Sequence, residues 1–423
     1  MKKLLGLLVM LSTAAFSREL TLESAIDMGL ENGKSIKTSE LSKENAQLNV
    51  KRAFKTALPT VTYNGKYEKA EHKTRNMMLN GDEAKEKSGY MQTIGVYQPL
   101  FRGGAISGGI IGAKASRNMA DIFYLTEKRD VRLDIVETYS NIIKYERDLT
   151  VLNSSMKELQ ARYNKQKEQL DLRIITKADI LKTEFSILEL ESQITGKKTQ
   201  LAVAKKDLKL KLGIPEGEEL VLNDFQVPQN LLEGTDFTRD LNQALTNSLS
   251  AKLAVNKIDY AKAEKMVAAS SFLPQVDAFA TYGTTTENHH FNDSFDEAEW
   301  RGGVQVKWDI FNFGSGLNEY SVAKNNVNIE EINKDSISDN ITLAVTSGYR
   351  EVIRLEQLRD SRKKALEAAK ENFEIDTERY NAGLISTVDY LESESQYRGA
   401  AVDYNAAVLD YYVAFEKYRS LLI

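Results

Sequence analysis

Two hydrophobic patterns alternate along the chain, one repeating every two residues and the other every seven. In the period-two segments apolar residues such as Val61 and Tyr63 alternate with polar residues such as Thr62 and Lys66. Such alternation is typical of a strand with one apolar face. It predicts four strands, at about residues 58–69, 89–101, 274–286 and 300–311.

The seven-residue pattern fills the long segments that follow the strands. Such rows specify helix-on-helix packing of the coiled-coil type. One helix of about 65 residues would be on the order of 100 Å long at 1.5 Å per residue. The rows are Ile135, Ile142, Leu149, Met156 and Tyr163 in the first half, and Tyr397, Tyr404, Tyr411 and Tyr418 near the C-terminus.

The placement of proline agrees with long helices. The chain has five prolines in 423 residues, and residues 100–214 and 275–423 contain none. Because a proline inside a helix costs about 3 kcal/mol, these two runs permit unusually long helices.

The sequence repeats itself at an offset of 210 residues, so that Tyr139 maps to Tyr349 and Asp179 to Asp389. The register holds without a gap from about residue 96 to the C-terminus. Each copy has the predicted order helix, strand, strand, long helix, helix. We therefore predict a first structural repeat at 18–213, an equatorial segment between the repeats at 214–237, and a second repeat at 238–423.

The N-terminus has the layout of a secretory signal peptide, with two lysines, an apolar run and a small-residue cleavage site before Arg18. We predict a signal peptide at residues 1–17 and an exported mature chain, which also fits a soluble periplasmic protein. A net charge of -5 gives no reason to expect nucleic-acid binding. Zero cysteine excludes disulfides, thiolate metal sites and a lipid anchor on cysteine.

Four strands of roughly ten residues suit tilted bilayer crossings, but they are too few to close a barrel. An open sheet edge in lipid would leave backbone N–H and C=O groups unpaired. Membrane insertion would therefore require an oligomer. Two chains would give about eight strands and three would give about twelve, and both remain open at this point.

Several motifs occur together in one order. A Leu-Pro pair opens a strand in each copy, at Leu58 and Leu273, and a strand runs into a Gly-rich helix start at 97–104 and 308–314. A helical hairpin turn, Arg-Tyr-Asn-Ala-Gly-Leu-Ile-Ser-Thr-Val-Asp-Tyr-Leu, occupies 379–391. With these motifs the chain resembles the TolC family of trimeric outer-membrane efflux proteins over essentially its whole mature length.

The resemblance implies a fold that is mainly α with a small β part. Duplicated long coiled-coil hairpins would form a trimeric α-barrel, and four strands per chain would contribute to a shared 12-stranded transmembrane β-barrel. The implied function is the exit duct of a tripartite efflux pump or type I secretion system, opened at its periplasmic tip. The implied partners are two further copies, a periplasmic adaptor (a membrane fusion protein), an inner-membrane transporter and outer-membrane lipid. No nucleic acid is expected, and the location would be the outer membrane of a Gram-negative-type cell.

The resemblance also implies a gate at the periplasmic tip, with Asp389 and Glu392 as rings of like charge that favour cations. Asp179, Tyr380 and Gly383 complete the candidate residues. Gly383 would end one helix and accept a positive φ cheaply. A second interpretation stays open for the aspartates, because Thr176–Asp179 and Ser386–Asp389 both read as capping boxes. Tyr380 could equally be a packing residue.

The chain departs from the family pattern at three tip positions. Arg173 stands where the second copy has Gly383, so the first turn need not share the second turn's geometry. Lys182 matches Glu392, so only one copy carries paired acids. Ile385 occupies the position of a basic gate residue in the family, which puts a similar inter-chain lock in doubt.

Other functions are less well supported by the sequence. The three histidines, His72, His289 and His290, fall in predicted inter-strand loops, and we expect no metal, no cofactor and no enzyme activity. Residues 108–114 are Gly-rich but lack the Gly-Lys-Ser/Thr ending of a phosphate loop, which favours close packing. The main alternative is an exported coiled-coil structural or adhesin-type protein without a pore.

Overall fold

The computed structural model describes residues 18–76, 81–284 and 298–423. The predicted signal peptide and the loop that contains His289 and His290 lie outside these ranges. The helices are α1 (Leu22–Asn32), α2 (Lys34–Lys55), α3 (Ala105–Asp171), α4 (Lys177–Leu212), α5 (Phe237–Asn247), α6 (Leu249–Ala269), α7 (Ser315–Asn381) and α8 (Thr387–Ser420). The strands are β1 (Arg18–Leu20), β2 (Thr60–Asn76), β3 (Gly81–Arg102), β4 (Leu220–Leu222), β5 (Gln275–Gly283) and β6 (Glu299–Lys307).

Two very long helices, α3 and α7, dominate the chain and confirm the mainly helical fold with a small sheet. Each has 67 residues, and their first residues stand 210 positions apart. The helices that follow them, α4 and α8, keep the same offset. Because neither α3 nor α7 contains proline, every interior N–H is available for the helical hydrogen-bond ladder.

The described chain divides into two compact units, and neither corresponds to one copy of the repeat. The first unit contains the residues up to Glu40, Phe123–Ala251 and Ser338–Ile423. The second contains Leu41–Ile122 and Lys252–Ile337. Each unit therefore combines segments of both copies. The first holds the turns of the two helical hairpins, and the second holds the larger sheet.

The larger sheet has the antiparallel order β2-β3-β5-β6, so that β2 and β6 form its edges. The register gathers apolar residues on one face and mainly polar residues on the other, where Tyr97 and Phe279 also lie. The apolar face carries Val61, Tyr63, Ile94, Val96, Ala280, Tyr282, Trp300, Val304 and Val306. The polar face carries Thr62, Asn64, Lys66, Arg301, Gln305 and Lys307.

The first hairpin of the sheet is longer than the apolar pattern predicts. The ladder between β2 and β3 continues through the polar stretch 68–88, from the pair Thr60–Tyr97 to the pair Asn76–Gly81. Backbone N–H and C=O groups make these bonds, so pairing does not require an apolar face. The predicted strand ends at residues 69 and 89 are therefore corrected to Asn76 and Gly81.

In the second hairpin of the sheet, both strands end earlier than predicted. β5 ends at Gly283, where a Cβ atom would lie 2.0 Å from the Gln92 carbonyl oxygen, so only glycine fits. β6 ends at Lys307, and the Trp308 indole N–H then donates to the Phe272 carbonyl at 3.1 Å. The predicted ends at residues 286 and 311 are corrected accordingly.

Pro99 lies inside β3 and does not end it. The pairing with β5 shifts its register between Pro99 and Phe101, and the strand continues to Arg102. Proline has no N–H to give to the ladder, and a bulge is one of the few places where a strand tolerates it.

A small parallel pair, β1 with β4, was not predicted. Arg18–Leu20 pairs with Leu220–Leu222. Of these two strands, β4 lies in the equatorial segment predicted between the repeats at 214–237. The fully buried Tyr139 of α3 places its hydroxyl 2.8 Å from the Leu20 carbonyl and 2.6 Å from the Asn223 carbonyl. Burial raises the pKa of Tyr139 to about 12. The tyrosine thus ties the middle of α3 to this strand pair.

The Gly-rich start of α3 is a packing site. A Cβ atom on Gly108 would lie 2.8 Å from the Val267 side chain and 3.0 Å from the Ala263 carbonyl of α6. This close approach explains the glycine without a phosphate ligand. Among the described residues, none of the helices combines the length and the hydrophobicity that a bilayer crossing needs.

Candidate functional site

The turn between α7 and α8 is a tight turn that ends α7, and Gly383 occupies its left-handed position. The Gly383 N–H donates to the Tyr380 carbonyl at 3.0 Å, and the Leu384 N–H donates to the Arg379 carbonyl at 2.8 Å. Gly383 has φ 75. These two bonds form a Schellman motif, which satisfies carbonyls that a helix end leaves unpaired.

The turn between α3 and α4 has the same hydrogen bonds although no glycine is present. The Arg173 N–H donates to the Leu170 carbonyl at 2.9 Å, and the Ile174 N–H donates to the Gln169 carbonyl at 2.8 Å. Arg173 adopts φ 60, a conformation that L-residues rarely take. The two hairpin turns therefore share one geometry.

Asp389 caps the start of α8. Its Oδ2 accepts from the Ser386 hydroxyl at 2.8 Å and from the Ser386 N–H at 3.1 Å, while the Asp389 N–H donates to Ser386 Oγ at 3.3 Å. These bonds, the hydroxyl first, hold the pKa of Asp389 below its ordinary value. The capping-box interpretation therefore describes its local contacts.

Asp179 makes equivalent contacts in the first hairpin. Its Oδ2 accepts from the Thr176 hydroxyl at 2.7 Å and from the Thr176 N–H at 3.2 Å. The Thr176 hydroxyl is the main cause of the lowered pKa of Asp179, and the Thr387 hydroxyl of the second hairpin contributes. Asp179 thus faces the other hairpin, whereas Asp389 is exposed to solvent.

Glu392 lies one turn after Asp389 and is also exposed. Its Oε1 accepts from the Gln396 side-chain amide at 3.2 Å. The spacing of three residues puts both carboxylates on one face of α8. They form an acidic surface at the hairpin turn and do not line a closed pocket.

Tyr380 connects the two hairpins through its hydroxyl and its ring. The Gln166 amide of α3 donates to the hydroxyl at 2.8 Å, and Thr387 Oγ1 lies 3.2 Å from it. The ring stacks on Tyr390, with centroids 4.9 Å apart. Tyr380 is therefore a contact residue between α3, α7 and α8.

Arg162 of α3 lies over both tyrosine rings. Its guanidinium carbon is 4.9 Å from the centroid of Tyr380 and 4.5 Å from that of Tyr390, close enough for cation–π attraction. The same guanidinium donates to Asn381 Oδ1 at 2.6 Å. The Tyr390 hydroxyl donates to Glu158 at 3.0 Å, and burial raises the pKa of Tyr390.

Arg162 and Tyr390 were missed in the sequence analysis. Tyr390 stands one heptad before the tyrosine row that begins at Tyr397, so extending the row by seven residues would have found it. Arg162 stands next to the last residue of the first row, Tyr163, and carries no comparable signal. Its role depends on the rings of Tyr380 and Tyr390, which belong to the second repeat of the same chain.

A cleft of about 540 Å³ opens between the two turns. It brings together Asp179, Tyr380 and Gly383, but Asp389 and Glu392 do not line it. Ile385 also lines the cleft and packs against a buried cluster that includes Tyr390. The position that would hold a basic gate residue therefore makes an apolar contact.

The described residues contain no group of three or more histidine, aspartate or glutamate side chains placed to hold a metal ion. His289 and His290 lie outside the described residues, as does the side chain of His72.

The fold is similar to two solved outer-membrane channels. The Campylobacter jejuni CmeC outer membrane channel aligns with a TM-score of 0.79 and 17% identity, over 95% of this chain and 85% of that one. The outer membrane protein VceC of Vibrio cholerae aligns with a TM-score of 0.77 and 13% identity, over 95% of both chains.

Residues 241–422 match the sequence model of the family described as outer membrane efflux protein. The match covers most of the second repeat. The homologues and structural neighbours of this chain are Gram-negative outer-membrane channels that extend into the periplasm. The resemblance to TolC-type proteins that the motifs suggested is thereby confirmed.

Two curated proteins are also similar to this chain in sequence. The protease secretion protein PrtF of Dickeya chrysanthemi is 24% identical over 329 residues, which cover 74% of this chain and 69% of that protein. The nodulation protein T of Rhizobium leguminosarum is 23% identical over 286 residues, which cover 65% of this chain and 57% of that protein.

Proposed function

We propose that three copies of this chain form a channel-tunnel, the exit duct of a tripartite efflux pump or a type I secretion system. The sheet would sit in outer-membrane lipid, and the helical hairpins would extend into the periplasm. An adaptor and an inner-membrane transporter would open the tunnel at the hairpin turns.

The observation that carries this proposal is an apolar sheet face of bilayer height with two open edges. Trp300 and Trp308 bracket the apolar band of β6. Eight residues at about 3.3 Å each span about 26 Å, close to the roughly 25 Å apolar band of outer-membrane strands. The aromatic residues at both limits suit the two membrane–water interfaces.

The open edges explain why copies must assemble. β2 and β6 each pair on one side only within the described chain. In lipid, unpaired N–H and C=O groups cost several kcal/mol each, so β6 of one copy must pair with β2 of the next. Three copies would give the 12-stranded closure that the family resemblance implies.

The hairpin turns present a surface suited to an adaptor. Leu172, Ile174 and Leu384 are all more than 60% exposed, whereas isolated helix ends are usually polar. Their exposure is consistent with a contact made only in the assembled pump. The Tyr380 contacts would hold the two hairpins of one copy together while the tunnel is closed.

The name of one curated relative indicates which type of export system the channel would belong to. PrtF is named for protease secretion, which supports a role in type I secretion.

The polar face of the sheet would line the pore with paired charges, since Lys66 pairs with Glu68 and Arg102 with Asp277 at 2.7 Å. A largely neutral lining suits passive conduction of varied cargo.

Extraction from membranes tests the proposal against the coiled-coil scaffold. A channel whose strands cross the bilayer stays in the pellet through high salt and urea and is released only by detergent, as an oligomer. A peripheral scaffold is released by urea. Recovery of a soluble monomer from washed membranes would contradict the channel.

A further inference from the structure

A second cavity lies in the unit that carries the larger sheet, and no residue of the hairpin turns lines it. Its volume is about 650 Å³, within the range of about 300–1,000 Å³ that is usual for small-molecule sites. Four helices line it at the ends that adjoin the sheet, namely α2 before β2, α3 after β3, α6 before β5 and α7 after β6. All of the lining residues belong to this one unit, so a single copy holds the whole cavity.

Two neighbouring glycines of α3 line the cavity, and only one of them has a packing reason. A Cβ atom on Gly108 would lie 2.8 Å from the Val267 side chain of α6, so the contact between the two helices requires glycine there. No atom lies within 4 Å of a Cβ built on Gly109. Gly109 also lies inside the helix without a positive φ. Neither packing nor backbone conformation therefore requires glycine at position 109.

The effect of Gly109 is to keep the cavity open. Glycine destabilises a helix interior relative to alanine, because it loses more backbone freedom on folding. A larger side chain at position 109 would occupy the space that Gly109 lines. The residue thus gives up helix stability and leaves room for a bound molecule.

Opposite charges enter the cavity from its two sides. Arg52 of α2 and Glu319 of α7 both line it, and both side chains are exposed. α2 leads into β2 and α7 follows β6, the two edge strands of the sheet, whereas α3 and α6 adjoin the inner strands. Within the described residues, neither Arg52 nor Glu319 forms a salt bridge. Both charges are therefore available to a bound molecule.

The rest of the lining supplies apolar surface and one carboxylate that already has a partner. Val267 and Val322 contribute the apolar surface. The Tyr260 hydroxyl donates to Glu264, and this hydrogen bond raises the pKa of Tyr260. Glu264 is thus engaged by a neighbour, which leaves Glu319 as the carboxylate that a ligand would meet.

We propose that this cavity binds a zwitterionic amphiphile, a small molecule whose acidic group pairs with Arg52 and whose amine pairs with Glu319. Its apolar body would lie against the wall that Gly109 leaves open. A simple anion would leave Glu319 without a partner and a simple cation would leave Arg52 without one, and hydrogen bonds between charged groups are stronger than neutral ones. The inference goes beyond the proposed function and does not depend on it, because one copy holds the whole site.

Binding of three dansyl probes to the full-length protein in detergent tests this inference. Nα-dansyl-lysine carries a carboxylate and an ε-amine, dansylcadaverine has the same skeleton without the carboxylate, and dansyl-norleucine has it without the amine. Fluorescence anisotropy at pH 7 measures each Kd. We expect the zwitterion to bind about fivefold more tightly than either probe with one charge, the scale of one partly exposed ion pair. Equal affinity for the three probes, or no binding of the zwitterion, would overturn the inference.

Two neutral variants test which residue meets which charge. Arg52→Gln should weaken binding of Nα-dansyl-lysine about fivefold and leave dansylcadaverine unchanged. Glu319→Gln should weaken the zwitterion to the same extent and leave dansyl-norleucine unchanged. The matched controls are Lys51→Gln and Glu331→Gln, which remove exposed charges of α2 and α7 that do not line the cavity. An equal loss of affinity in the controls would contradict the assigned pairs.

A larger side chain at position 109 tests the location of the site. Gly109→Leu should weaken all three probes by about tenfold or more, because leucine occupies the cavity that would bury them. Gly196→Leu, at a helical glycine of α4 that also has open space around it, is the control. Wild-type affinity in Gly109→Leu would place the probes elsewhere. The comparison of probes on the wild-type protein needs no variant, and none of these readouts uses conductance, so the site and the channel can fail separately.

Discussion

At the residue scale, Arg173 and Gly383 occupy the same left-handed backbone position with different side chains. Their φ values are 60 and 75. An L-residue in this conformation costs roughly 1–2 kcal/mol because its Cβ approaches the following carbonyl. No atom lies within 4 Å of a Cβ built on Gly383, so the backbone conformation alone sets the cost there.

Exchanging the two residue types should shift the stability of each turn in opposite directions. We expect Gly383→Ala to destabilise its turn by about 1 kcal/mol and Arg173→Gly to stabilise its own by up to about 1 kcal/mol. Hydrogen–deuterium exchange of the two turn peptides measures this, with about fivefold faster exchange for the destabilised turn. Gly399→Ala, in the interior of α8 with open space around it, is the control.

Some of the local conformations at the hairpin turns could be predicted from single residues of the sequence, and one could not. The stop at Gly383 and the caps at Asp179 and Asp389 follow from residue type, because glycine and short polar side chains have strong local preferences. The left-handed Arg173 could not be predicted from its own type. It could be inferred only from its place in the repeat, 210 residues before Gly383.

At the element scale, the helix starts at Thr176 and Ser386 depend on ionised carboxylates. The pKa of Asp389 is lowered in the folded chain, chiefly by the Ser386 hydroxyl. A lowered pKa means that the cap stabilises α8 at pH values above the unfolded pKa of about 3.9. This contribution is lost as the pH falls through the lower, folded value.

Removal of this cap should therefore have a pH-dependent effect. We expect Asp389→Ala to speed hydrogen–deuterium exchange of the α8 N-terminus at pH 7, relative to wild type. The difference should shrink as the pH falls below about 4, where wild type loses the same charge. Asp410→Ala, an exposed position further along α8, should show no effect at either pH. A pH-independent difference would argue against an ionised cap.

Helices and strands could be predicted where a periodic side-chain pattern marks them. They were less predictable where only backbone hydrogen bonds define them. The sevenfold rows marked α3 and α8 because helix packing repeats with that period. The β2–β3 ladder runs past its apolar face to Asn76, and backbone hydrogen bonds leave no trace in side-chain polarity. The three-residue strands β1 and β4 are too short to show any period.

At the scale of the whole molecule, the repeat in sequence does not correspond to a compact unit in structure. Each unit takes a piece of both copies because α3 and α7 run through both. Cleaving the chain between the copies would divide both units. The duplication therefore supplies two helical hairpins to the first unit and two strand pairs to the sheet of the second unit.

The acidic surface of the second hairpin yields a prediction for the assembled channel. Three copies would place three Asp389 and three Glu392 side chains around the entrance, and such rings favour cations over anions. We expect Asp389→Asn with Glu392→Gln to lower the cation selectivity of the reconstituted pore and to weaken its block by divalent cations. Reversal potentials in a salt gradient measure the selectivity. Unchanged selectivity and unchanged block would count against a charge ring.

The proposed closure of several copies of this chain into a conducting channel is tested most directly by single-channel recording of the wild-type protein. Detergent-extracted oligomer, added to a planar bilayer, should produce stepwise conductance increments that prefer cations. Intact oligomer that inserts into the bilayer but carries no current would contradict the claim.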